Sequence, residues 1–205
     1  MHCGQPQARD VKIDHMNDDN NPNAWKKVSS KIVYQSPFMT VREDQVATDS
    51  GKKGIYNLID PRPGVFVIAE TENDEIYLIE SFRYPLQAWR WELPSGGIEK
   101  GDTPLITAGK ELQEELGLTA TEWEQIGEIY PSHNGPMSDR NIIFIARGLS
   151  KISTAHESGE AIRPPQAIPY DKVFDMVRSG ELTDGQTLGA LLHYKLWREP
   201  QASER

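Results

Sequence analysis

Three glutamates fall within five residues, Glu111, Glu114 and Glu115, at spacings that let carboxylates act together. On an α-helix, at 100° per residue, Glu111 stacks over Glu115 and Glu114 lies further round. Like charges four residues apart repel by roughly 0.2–0.5 kcal/mol on an exposed helix and by more when partly desolvated, and Lys110 is the nearby cation to offset them. A divalent cation removes the conflict. Hard oxygen donors with no His or Cys beside them suit Mg2+ or Mn2+, ions that keep several waters and share their coordination with substrate phosphates. Taken alone, Glu-x-x-Glu-Glu is also the pattern of a solvated acidic face, so the residues around it carry weight. Upstream stand Arg83, Arg90 and Glu92, on either side of the approach to a glycine-rich stretch, Ser95-Gly-Gly97. A guanidinium is the side chain best shaped to hold a diphosphate through paired hydrogen bonds, the alternative being a surface salt bridge.

The elements that must position these groups are legible in outline. Thr103 is a natural N-cap, Pro104 suits the first helical position, and Gly117 fits the C-terminal exit of the acidic helix. Leu105, Ala108, Leu112 and Leu116 form its expected apolar stripe, with Glu111 and Glu115 along the edge. Before it, Val65–Ala69 and Glu75–Phe82 read as strands around an acidic turn, followed by Trp89 and Trp91. After it come expected strands at Trp123–Tyr130 and Asn141–Ala146, and a loop holding His156, Glu157 and Glu160. Two expected helices follow, Tyr170–Ser179, ended by Gly180, and Thr183–Trp197. Nearer the N-terminus, Lys31–Gln35, Phe38–Val46 and Gly54–Ile59 read as three short strands, with Ser50-Gly51 as a turn. So small a sheet is not stable alone and must pack on the main domain or on a second subunit. The irregular alternation predicts an α+β or mixed α/β architecture without a dinucleotide-binding glycine fingerprint.

Composition sets the outer bounds. The chain has 205 residues, 37% hydrophobic and 26% charged, with a net charge of −9, ordinary for a globular protein and opposed to a broad nucleic-acid or membrane surface. An anionic substrate must then be received locally, by metal and a few arginines. The single cysteine, Cys3, offers neither a disulfide framework nor a cysteine metal site. No stretch approaches the roughly 20 apolar residues of a membrane span, and the expected location is cytoplasmic. Residues 1–24 lack apolar periodicity and are expected to be a disordered tail.

From Gly96 the order is Gly, five residues, Asp102, seven residues, then Lys110-Glu-Leu-Gln-Glu-Glu-Leu-Gly-Leu118. This resembles the signature of the Nudix hydrolases, with Asp102 where the family usually has Glu and Lys110 where it usually has Arg. Ser81-Phe-Arg-Tyr-Pro85 followed by Glu92-Leu-Pro-Ser-Gly-Gly97 is similar to the ADP-ribose pyrophosphatase branch. The resemblance implies a Nudix α/β/α sandwich (61–198) behind a small N-terminal antiparallel β-sheet (25–60), with a terminal tail at 199–205. It implies a Mg2+ or Mn2+ site built from Glu92, the Ser95 carbonyl, Glu111, Glu114, Glu115 and Glu160, with Arg83 on the substrate phosphates. The loop glutamate that activates water is Glu160 by alignment or else Glu157, with Glu115 beside it in the catalytic group. Tyr130-Pro-Ser-His-Asn-Gly135 departs from the branch, where a proline commonly follows the serine. His133 is the candidate contact to a terminal sugar, or a turn histidine. Trp25, Tyr34 and Phe38 are candidates for stacking on a base, packing being the alternative.

The expected activity is hydrolysis of the diphosphate in a nucleoside diphosphate sugar, ADP-ribose foremost, by a homodimer whose N-terminal strands serve the partner's site. GDP-mannose or a dinucleoside polyphosphate is the alternative substrate, and a catalytically weak nucleotide-sugar sensor is the alternative class.

Overall fold

A computed structural model describes residues 22–129, 135–138, 140–152 and 161–199. They fall into two compact units, residues 22–62 with 135–138, and residues 63–129 with 140–152 and 161–199.

The N-terminal unit is an antiparallel sheet of β1 (Lys26–Gln35), β2 (Met39–Ala47) and β3 (Lys53–Pro61), in that order. Each strand reaches beyond its predicted bounds, and β1 begins five residues earlier, at Lys26. Its extra residues are polar except for Val28 and all face solvent, so alternation could not mark them, and they are held by pairing with β2 as far as Lys26 opposite Ala47. Trp25 lies against Gly54, in the space a Cβ there would approach to 3.1 Å, and meets Tyr56 edge to face at 6.4 Å between ring centroids. Arg42 bridges two carboxylates, Asp60 at 2.5 Å and the buried Asp44. Residues 135–138 join this unit through the Ile59 N–H, which donates to the Pro136 carbonyl, and through the Ser138 hydroxyl on Asp60.

In the second unit β4 (Gly64–Ala69), β5 (Glu75–Arg83), β6 (Ala88–Glu92) and β7 (Ser95–Gly97) lead into α1 (Pro104–Leu116). Then come β8 (Leu118–Thr119), β9 (Glu122–Ile129), β10 (Asn141–Arg147), β11 (Ser150–Lys151), β12 (Gln166–Pro169), α2 (Tyr170–Ser179) and α3 (Gly185–Arg198). One sheet runs β7-β4-β10-β9, with β4 and β10 parallel; another runs β12-β5-β6. Strands buried on both faces explain the continuous apolar runs of β4 and β10. Val65, Val67, Ile142 and Phe144 meet Ala108, Leu112 and Leu116 of α1. Phe66, Ile68, Ile143 and Ile145 meet Val173, Met176, Ala190, Leu191 and Tyr194 of α2 and α3. Helices therefore cover both faces, the α/β/α layering expected of a mixed α+β chain.

The capping reading of α1 holds in detail. The Thr103 hydroxyl accepts the N–H of Ile106, Pro104 opens the helix, and Gly117, at φ +64°, closes it by donating to the carbonyls of Leu112 and Gln113. Leu105 is a correction: it is 46% exposed, and the buried face is Thr107, Ala108, Leu112, Glu115 and Leu116. One turn into the helix, the packed surface has rotated toward Thr107. α3 starts at Gly185 rather than Thr183, because the Asp184 carboxylate caps it by accepting the N–H of Thr187 at 2.7 Å. The glycine-rich stretch, read as loop, pairs as β7 with β4, Gly96 opposite Val65.

Candidate active site

Pairing with β4 sets Ser95–Gly97 under α1, and the consequence is a row of contacts between that short strand and the acidic helix. Glu115, only 7% exposed, accepts the N–H of Ser95 at 2.9 Å. One turn earlier, Glu111 lies across Gly96 so closely that a Cβ on that glycine would stand 1.8 Å from its carboxylate oxygen. The carboxylate occupies the space that a side chain at this position would fill. Glu114 is exposed. The i,i+4 stacking of Glu111 and Glu115 is thus realised with both carboxylates on one backbone stretch.

β5 and β6 supply a second set of charges. Pairing opposes Ile79 to Glu92, Ser81 to Arg90 and Arg83 to Ala88, so these six residues share one face of the hairpin. Ile79 belongs to the core beneath α1, which orients that face toward the helix. Arg83 closes a fork on Glu92: its Nε donates to both carboxylate oxygens, at 2.8 and 3.1 Å, and its Nη2 donates to Oε2. Glu92 is 4% exposed, and so deeply buried a carboxylate needs such a partner. Arg90 is half-buried and donates to the Trp89 carbonyl at 2.9 Å. Behind the sheet Arg163 ties the hairpin together, donating to Glu80 on β5 at 2.8 Å and lying 4.2 Å over the ring of Trp89 on β6.

The nearest partner of Lys110 is Asp102 in the turn before the helix, with Glu114 a weaker, longer-range attraction. The Lys110 ammonium donates to Asp102 at 2.7 Å, and that hydrogen bond is the main cause of its raised pKa. The two positions that depart from the signature therefore pair with each other. Trp25 lies in the N-terminal unit, packed as described above, with Lys52 Nζ 5.3 Å from its ring centroid. Tyr34 and Phe38 are exposed there. His133, Glu157 and Glu160 lie outside the described residues; the chain re-enters them at Ala161, whose carbonyl accepts the N–H of Phe82, next to Arg83.

Glu111 and Glu115 form an all-oxygen pair of the chemistry that suits Mg2+ or Mn2+. Among the described residues no three His, Cys, Asp or Glu side chains gather as a metal cage. The residues fit an ion bound by one or two carboxylates and completed by water and substrate phosphate, the usual habit of Mg2+.

Ser81 is the residue the sequence reading passed over. It is buried between Ile79 and Arg83 along β5 and opposite Arg90 on β6, and its hydroxyl has no hydrogen-bond partner among the described residues. Its signal was period-two alternation with Arg83, which puts both on one face.

Comparison with known proteins places this geometry. A NUDIX domain model matches residues 60–184, and a nucleoside diphosphate sugar hydrolase N-terminal domain model matches residues 25–59. The chain is 26% identical over 181 residues to an ADP-ribose pyrophosphatase of Bacillus subtilis (strain 168), covering 87% of this chain and 97% of that one. It is 24% identical over 168 residues to a CMP-5'-(N-acetyl-N-hydroxy-3-aminopropyl)phosphonate hydrolase of Streptomyces rubellomurinus (strain ATCC 31215), covering 82% and 81%. The crystal structure of an ADP compounds hydrolase superposes with a TM-score of 0.76 at 19% identity, over 90% of this chain and 99% of that one, a likeness of fold.

Proposed function

The chain belongs to the NUDIX family of hydrolases, and from that premise we propose that it cleaves the diphosphate of a nucleoside diphosphate sugar, ADP-ribose first among them, to AMP and ribose 5-phosphate. The observation that carries this reading is the row of contacts between α1 and β7, where Glu115 holds the Ser95 amide and Glu111 crosses Gly96, beside a hairpin face bearing Arg83 and Arg90. The match of residues 25–59 to the N-terminal domain of nucleoside diphosphate sugar hydrolases supports the substrate class, and the relative named for ADP-ribose supports the sugar.

Nudix hydrolases use divalent metal ions. Here Glu111 and Glu115 with the Ser95 carbonyl would hold the ion, Glu92, Glu114 and Glu160 being the further candidate ligands, and Mg2+ or Mn2+ would acidify water and offset charge on the bridging oxygen. The protein's own groups do the rest. Arg83 and Arg90 hold the diphosphate in line for attack. Glu160, or Glu157, takes the proton of the attacking water. Water oxygen joins one phosphorus, and the bridging oxygen leaves with the other phosphate.

The assembly in this reading is a homodimer. All ten residues of β1 are solvent-exposed within the single chain, Val28, Ile32, Val33 and Tyr34 among them, and an edge strand this apolar calls for a cover. A second copy supplies it, bringing Trp25 and its neighbours to the partner's nucleotide. Light scattering is expected to show a dimer that deletion of residues 1–60, but not of 1–22, abolishes together with turnover. Among the described residues no helix is long and apolar enough to cross a membrane, and with one cysteine a reducing cytoplasm is the proposed setting.

The test is a panel of ADP-ribose, GDP-mannose, dinucleoside polyphosphates and CMP-linked phosphonates incubated with Mg2+, then Mn2+, with products identified by mass. Fastest release of AMP from ADP-ribose is expected. Binding of a nucleotide sugar without release of any phosphate would replace the enzyme reading with the sensor.

A further inference from the structure

Two groups that serve a bound ligand in the function proposed above, Arg83 for the diphosphate and Glu92 for the cation, are held by each other. The Arg83 fork spans both oxygens of a carboxylate that is 4% exposed, the same planar, two-oxygen geometry with which a guanidinium takes a phosphate. The Arg83 side chain is 46% exposed while that of Glu92 is 5% exposed, so the outer partner of the pair is the one a ligand reaches first. On the same face, one diagonal from Glu92, stands the Ser81 hydroxyl, buried and without a hydrogen-bond partner among the described residues. A diagonal neighbour across an antiparallel pair is roughly 7–8 Å away between backbones, within reach of a glutamate side chain. A buried hydroxyl left unpaired is unfavourable, which favours any arrangement that gives it a carboxylate.

We propose that Arg83 and Glu92 exchange partners when metal and diphosphate bind, and that Ser81 is the positioning residue which receives one oxygen of Glu92 as it leaves the guanidinium. The exchange is like for like: Arg83 trades a carboxylate for a phosphate, and Glu92 trades a guanidinium for a cation and a hydroxyl. It couples the two ligands. A cation alone must compete with Arg83 for Glu92, whereas a diphosphate that draws Arg83 away removes the competitor, and by linkage each ligand tightens the other. The inference rests on the function proposed above for the direction in which each side chain moves.

The test reads Mn2+ alone, without nucleotide or turnover, by electron paramagnetic resonance of the free ion over the full-length chain. Arg83→Ala is expected to bind Mn2+ about tenfold more tightly than the wild type, because a unit positive charge a few ångströms from Glu92 has been removed. Adding Ser81→Ala to that variant is expected to return several-fold of the gain. Arg83→Gln, which keeps a donor for Glu92 without the charge, repeats the measurement in case the alanine variant does not fold, as judged by circular dichroism. Mn2+ affinity equal to or weaker than wild type in a folded Arg83 variant overturns the exchange and leaves the hydrolase reading standing. Failure of Mn2+ to bind the wild type and the variants alike overturns both.

Discussion

Gly96→Ala separates positioning from stability. Gly96 is not among the glycines with positive φ, so its backbone accepts alanine, and the three atoms nearest the new Cβ all belong to the Glu111 carboxyl group, the first at 1.8 Å. To regain the 3.4 Å of ordinary contact that carboxylate must withdraw by about 1.6 Å. It is the far end of a flexible side chain, so withdrawal is inexpensive: less than about 1 kcal/mol, or a fall in Tm of no more than about 2–4 °C for a chain of this size. Its effect on chemistry is expected to be much larger, since displacing a catalytic group by about 1 Å can cost on the order of 10²-fold in rate. The assay pairs thermal melting with kcat/KM for ADP-ribose in Mg2+. Gly109→Ala on α1 is the control. Nothing lies within 4 Å of its added Cβ, and removing a glycine from a helix interior is expected to stabilise by roughly 0.5–1 kcal/mol with activity intact. A Gly96→Ala enzyme that melts normally and turns over at the wild-type rate would refute the role given to Glu111. A Tm loss of many degrees would show that the clash falls on backbone and not on a mobile side chain.

Glu115→Gln is expected to keep the fold, because the amide oxygen can still accept the Ser95 N–H, while turnover falls to a small fraction of wild type; melting and initial rates measured together decide it. Lys110→Arg is expected to leave activity unchanged or raise it, and Lys110→Met to lower Tm only slightly, since the Lys110 end of the pair with Asp102 is half-exposed and water screens it. Burial raises the Asp60 pKa, but hydrogen bonds from Arg42 and Ser138 outweigh it and hold the group below its ordinary 3.8. A carboxylate depressed in the folded state contributes stability that is full above that ordinary value and lost as pH falls through the lower folded one. Asp60→Asn should therefore flatten the fall in melting temperature of the N-terminal unit below about pH 4, and an unchanged acid limb would remove Asp60 from the account.

The sequence determined what short-range chemistry determines. Thr103, Pro104 and Gly117 set the ends of α1 because caps act within one turn, and Gly180 ends α2 at Ser179 for the same reason. The rotation per residue of a helix put Glu111 and Glu115 on one face before any packing was known. Continuous apolar runs located β4 and β10 to within a residue. Tertiary structure decided whatever depends on residues far apart in the chain. Ser95-Gly-Gly97 carries no apolar period, and only pairing with β4 makes it a strand and brings Gly96 beneath Glu111. Local spacing offered Lys110 to its neighbouring glutamates, yet the turn before α1 carries Asp102 within its reach. Arg83 and Glu92 are nine residues apart, and the β5–β6 register joins them and sets Ser81 beside them. Leu105 had the right angle on the helix and no surface opposite it. Periodicity states which side chains share a face; what stands across from that face is fixed only when distant strands pair.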